Sequence, residues 1–166
     1  MKKHIPSIAI SLFISLYIYV FYRTSKTLIN KLIVQLFSYE DYIALKEQIN
    51  SALPLNDYIV FSLPEGLWIY CITILSGPFC FMIGKRRYNL VFVPLVTAVV
   101  MELFQLLHIT NGRFDWMDIL FSFCFWLLAY LQTKRITKEI IFKSFNARTV
   151  WCVSCYSIVY LAHVFY

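Results

Sequence analysis

Apolar residues run along this chain in long blocks broken by short clusters of charge, instead of alternating as they would along strands. The blocks lie at about Ile5 to Tyr22, Leu63 to Ile83, Leu90 to Ile109, Trp116 to Gln132 and Thr149 to Tyr166. Each approaches the roughly 20 residues that a helix needs to cross a bilayer. The pattern predicts an all-α protein, a polytopic transmembrane bundle of about five spans that forms one domain over residues 1–166. Residues 24–57 carry a different pattern. Leu28, Ile29, Leu32, Ile33 and Leu36 form one apolar stripe at helical spacing, and a second helical piece starts at Ser38 and runs through Ile43 and Ile49 to Pro54. This segment reads as an amphipathic, interfacial stretch on the outer membrane surface, either a linker or a lid over the ends of the spans.

Local signals refine the boundaries. Ser62 as a cap, Pro64 in the first turn and Glu65 closing a Ser-x-x-Glu box predict the start of the second span. Gly77 and Pro78 predict a kink in the same span, as Pro94 does in the next. Asp115 and Asp118 suit the cap and first turn of a helix beginning at Trp116.

Composition supports the membrane reading, because 60% of the residues are hydrophobic and only 14% charged. An ordinary soluble domain carries about 25% charged residues. The formal charge of +6 does not form one basic patch, so nucleic acid is not an expected partner. Lys2, Lys3, Lys85, Arg86, Arg87, Lys134, Arg135, Lys138, Lys143 and Arg148 fall on one face of the predicted topology; Arg23, Lys26, Lys31, Lys46 and Arg113 fall on the other. The positive-inside rule then places the N-terminus in the cytoplasm, the C-terminus outside, and the Arg113 connection on the outer face. Tyr19 to Arg23 are too bulky or charged for signal-peptide cleavage, so the first span is expected to remain as an anchor. The fifth block is short and begins with basic residues, which also fits an interfacial helix.

The chemistry concentrates at the end of the third block. Glu102 and Gln105 share one face of a helix, with His108 a further step round, and Arg113, Asp115 and Asp118 follow. A carboxylate within hydrocarbon costs roughly 2.5 to 3.5 kcal/mol unless it finds a partner, so Glu102 must be paired, hydrated or functional. Arg113 is the expected partner, and its planar fork suits a carboxylate or a phosphate equally. Glu102 and Asp118 are the candidates for acid-base work; Glu102, Gln105, Arg113, Asp115 and Asp118 are the candidates for ligand binding. Cys152 and Cys155 form a lone Cys-x-x-Cys, and no His or second Cys pair has metal-ligand spacing. Walker, dinucleotide and nucleophile-elbow patterns are absent, so neither metal nor cofactor is expected.

Glu102, Gln105, Gly112, Arg113, Asp115 and Asp118 resemble the recurring Glu-x-x-Gln, Gly-Arg and Asp-x-x-Asp pattern of the VanZ-like family of small bacterial membrane proteins. The likeness covers about Asn89 to Tyr130, and Pro64, Glu65 and Trp68 resemble a Pro-acidic-x-x-Trp start found in such proteins. Ser122, Phe125 and Ala129 depart from the Asn and small Gly residues that commonly follow the second Asp in that family. The resemblance implies a multi-pass protein of the bacterial cytoplasmic membrane, part of the envelope. The leading expectation is a non-enzymatic protein whose outer-facing polar pocket binds an envelope lipid-linked ligand or a membrane protein partner. A membrane transferase or hydrolase acting on a lipid-linked glycan or phospholipid is the alternative, and an accessory subunit of a larger complex a third.

Overall fold

The structure is a computed structural model that describes residues 2–23, 38–110, 112–141 and 147–164. It is mostly helical. Among the described residues the α-helices are α1 (Ile5–Phe21), α2 (Tyr39–Ala52), α3 (Asp57–Ser76), α4 (Val93–Leu106), α5 (Trp116–Thr133) and α6 (Ala147–Val164). Three short strands, β1 (Phe79–Ile83), β2 (Arg86–Asn89) and β3 (Glu139–Ile140), form one sheet that the all-α expectation lacked. The stripe from Leu28 to Leu36 lies outside the described residues.

Several boundaries differ from the sequence reading for identifiable reasons. Asn56, not Ser62, caps α3, its side chain accepting a hydrogen bond of 3.1 Å from the Tyr58 amide. The helix therefore starts before the predicted box, and Ser62, Pro64 and Glu65 lie inside it. Gly77 and Pro78 end α3 instead of kinking it, because the chain turns directly into β1. Pro94 occupies the first turn of α4, where its missing N–H costs nothing. α4 stops at Leu106, short of the predicted Ile109.

α3 lies at the centre and packs against α1, α4, α5 and α6. Its contact with α5 is closest where small residues allow it: a Cβ on Gly66 would stand 2.5 Å from the Phe125 ring, and one on Gly77 2.7 Å from Thr133 Cβ. Tyr70, Cys71 and Ile74 of α3 pack on Ala129 of α5, while Ile69 meets Ala98 of α4 and Trp126 of α5. The Trp126 indole donates to the Val91 carbonyl at 2.9 Å, so its one polar atom is satisfied. α3 and α5 are long and apolar enough to cross a membrane, with mean hydropathies of 1.6 and 1.3. α5 also exposes Leu120, Phe123, Leu127, Leu128 and Leu131, and α1 exposes Ile5, Ile10 and Phe13. Such an apolar outer surface is costly in water and natural against lipid.

At one end of the bundle β1 pairs antiparallel with β2 and parallel with β3. Gly84, at φ +60°, with Lys85 makes the two-residue connection that antiparallel hairpins favour. Phe79 packs with Ile141 and Cys152 beneath the sheet. At the other end α2 is fastened to the end of α1: the Tyr42 hydroxyl donates to the Val20 carbonyl at 2.6 Å, and the Lys46 ammonium to the Arg23 carbonyl. Partial burial pushes the Lys46 ammonium below its ordinary range.

Candidate functional site

Three helices bring carboxylates together at the end opposite the sheet. Ser62 and Glu65 lie three residues apart on α3 and share a face, as Asp118 and Ser122 do four residues apart on α5. The small Gly66 lets these two faces approach. Glu102, one turn before the end of α4, completes the group from the third side. One carboxylate oxygen from each of Glu65, Glu102 and Asp118 lies within 4.8 Å of the other two. Glu102 is 2% exposed, and Glu65 and Asp118 are half-buried.

The expected Glu102–Arg113 pair does not form. Glu102 Oε2 instead accepts the Asp115 backbone N–H at 3.1 Å, which ties the end of α4 to the start of α5. Asp115 caps α5 as the sequence predicts, its Oδ1 accepting from the Met117 amide at 2.8 Å. Arg113 is exposed and makes no ion pair among the described residues, because α4 ends early and the connection carries the guanidinium away from Glu102. Among the described residues, Arg23 is the cation whose charge reaches Glu65 and Asp118. Its guanidinium lies over the rings of Tyr19 and Phe61, 4.6 and 5.3 Å from their centroids, and donates to the Phe61 carbonyl at 2.7 Å. Arg23 forms no direct ion pair with the three carboxylates among the described residues.

Glu65 and Arg23 are the members that the sequence reading did not assign. Glu65 was absorbed by the capping box, yet Ser62, Gly66, Ile69, Thr73 and Gly77 recur at three- and four-residue spacing. That stripe, mostly of small and polar residues around Ile69, marks the face of an apolar helix that meets another helix, and Glu65 borders it. Arg23 had no such signal, since only the fold brings the end of α1 beside α3.

Arg113 belongs to a separate cleft of about 270 Å³, lined by Gln105, Leu106, His108, Gly112, Arg113 and Phe114. The end of α4 shapes it. The Ile109 amide donates to the Phe104 carbonyl at 2.9 Å and the His108 amide to the Gln105 carbonyl at 3.0 Å, the paired bonds of a Schellman ending. His108 occupies the left-handed position, at φ +57°, and so leaves the helical face that Glu102 and Gln105 share. Gly112, at φ +127°, passes so close to the Gln105 amide that any Cβ there would come within 2.9 Å of it. The predicted residues thus divide into two places. Glu102 and Asp118 join Glu65 between the helices; Gln105 and Arg113 line the open cleft; Asp115 bridges them as a cap.

Neither models of known protein families, nor curated proteins, nor solved structures contain a match to this chain. A buried carboxylate group can take a proton or a cation, while an exposed guanidinium beside an amide and an imidazole can take an anion.

Proposed function

We propose that this chain is a multi-pass protein of the bacterial cytoplasmic membrane, VanZ-like in its Glu102 to Asp118 region, that binds an anionic, lipid-linked envelope ligand at its outer face. α3 and α5 would cross the bilayer, joined by α1, α4 and α6 in a bundle of about five spans. The N-terminus would face the cytoplasm, and the sheet with Lys85, Arg86 and Arg87 would lie on that side. The observation that carries the ligand reading is the cleft at Arg113, where an exposed guanidinium, without an acidic partner among the described residues, stands beside Gln105 and His108. An anionic headgroup can use that charge while its acyl or prenyl tail lies along the apolar flank of α4, where Leu103, Phe104 and Leu107 are exposed.

Native mass spectrometry of the detergent-solubilised protein, with a polyprenyl phosphate and separately with zwitterionic phosphatidylcholine, tests this. The phosphate lipid should be retained preferentially. Arg113→Ala should weaken that retention about tenfold, the loss expected for one charge-assisted contact of roughly 1.5 kcal/mol. Equal retention of the two lipids, or an unchanged Arg113→Ala protein, would remove the ligand reading.

A further inference from the structure

The carboxylates between the helices have two properties that the Arg113 cleft does not explain. The first is charge. Three carboxylates are gathered within 4.8 Å, and among the described residues Arg23 is the cation whose charge reaches them, so their formal negative charge is not matched there by described basic groups. Like charges so close and so poorly solvated are held together at a cost unless something positive lies between them. The second property is polar but uncharged. The Ser62 hydroxyl is near enough to interact with Asp118 and the Ser122 hydroxyl with Glu65, but neither contact reaches full hydrogen-bonding geometry. Ser62 is 1% exposed and Ser122 wholly buried, and neither hydroxyl oxygen, nor Asp118 Oδ1, has a partner among the described residues. Buried polar atoms are nearly always satisfied, so three orphans around one point mark a missing binding partner there.

We propose that Glu65, Glu102 and Asp118, with the hydroxyls of Ser62 and Ser122, bind one hard divalent cation of calcium size. The donors are all oxygen, which selects calcium, magnesium or manganese over zinc or copper. Size then favours calcium. Two ligand oxygens on opposite sides of an ion are separated by at most twice the metal–oxygen distance, about 5 Å for calcium and about 4 Å for magnesium. Separations of up to 4.8 Å are within the calcium limit as they stand. The ion would join α3, α4 and α5 at the end where no sheet ties them. It is independent of the anionic ligand: the cation site can hold where the Arg113 cleft fails, and the reverse.

Calcium titration of the full chain in a neutral maltoside detergent, which offers the ion no phosphate, provides the test. Thermal unfolding followed by tryptophan fluorescence and isothermal calorimetry should both show one saturable site per chain, with calcium bound more tightly than magnesium. Glu65→Gln and Glu102→Gln should each weaken calcium at least tenfold while the proteins remain folded in the absence of ions. Should either variant fail to fold, the Ser62→Ala/Ser122→Ala protein keeps every charge and should still bind calcium severalfold more weakly. Absence of a saturable effect on the unsubstituted chain at about 10 mM calcium, beyond the roughly 0.1–1 mM range of weak extracellular modules, would overturn the proposal. Binding that the Glu→Gln or the paired serine substitutions leave unchanged would overturn it equally.

Discussion

The two ends of this bundle are closed by opposite means. At the sheet end the backbone seals itself: β1 lies between β2 and β3, the Cys80 thiol donates to the Glu139 carbonyl, and Arg87 reaches both Cys80 Sγ and the Lys138 carbonyl. Phe79 and Cys80 are almost wholly buried there. At the carboxylate end the helices converge on charges and unpartnered hydroxyls, α4 finishes on a non-glycine residue in a left-handed conformation, and one backbone amide, from Asp115, bridges Glu102 to the start of α5. Polar atoms left unsatisfied and backbone left strained lower stability, so they persist where another requirement holds them. The contrast suits the sheet end to stability and the carboxylate end to the binding proposed above.

Phe79→Ala should have the largest effect. The ring is 2% exposed and packs on Ile141 and Cys152, which come from distant parts of the chain, so its removal opens a cavity at the seal. A loss of about 3–5 kcal/mol is expected, measured by denaturant unfolding in micelles. A loss below about 1 kcal/mol, the scale of an ordinary surface change, would show that the sheet does not bear the load assigned to it.

Gly66→Ala tests the junction between the two ends. Its Cβ would meet Phe125 Cδ2 at 2.5 Å, so α3 and α5 must move apart or the ring must leave its rotamer. The expected cost is about 1–3 kcal/mol. Trimming the ring with Phe125→Leu should return part of it, because the two residues are in contact and their effects should not add. Strict additivity of the two substitutions in unfolding experiments would mean that Gly66 does not set the spacing that brings Glu65 to Asp118.

What could be read in the sequence followed what local physics dictates. The helices near α1, α5 and α6 were legible because apolar blocks of that length have few other outcomes, and the Asp115 cap because one Asp before Trp116 fulfils it alone. The strands were hidden for two reasons: Phe79 to Ile83 lies inside a block assigned to helix and is as apolar as the helix before it, while its partners Arg86–Asn89 and Glu139–Ile140 are short and fall in the connections, the second far along the chain. The Glu102–Arg113 pairing failed for a similar reason. Spacing along a helix predicted a reach, but the reach depended on α4 continuing to Ile109, and the Schellman ending after Leu106 redirected it. Glu65 shows the converse limit: in the sequence a capping box accounts for it locally and the predicted start of its span puts its carboxylate at the same mouth, but only the fold groups it with Glu102 and Asp118. Intramembrane acids are better assigned after asking which helix face they share than after asking which cap they complete.

The smallest effect expected is also the one with the opposite sign. His108 holds a left-handed backbone conformation, φ +57°, that costs a residue with a Cβ about 1 kcal/mol and costs glycine far less. The Ile109 and His108 amides that close α4 would keep their partners in a glycine variant, since both bonds are made by backbone. His108→Gly should therefore raise stability by about 0.5–1 kcal/mol, read as a higher unfolding midpoint in the same micelles. Because His108 lines the Arg113 cleft, the same substitution should weaken retention of the polyprenyl phosphate even as the fold tightens. A gain in stability with retention unchanged would leave the strain without the functional reason assigned to it. A loss of stability would show that the imidazole itself, not the backbone conformation, is what holds the end of α4.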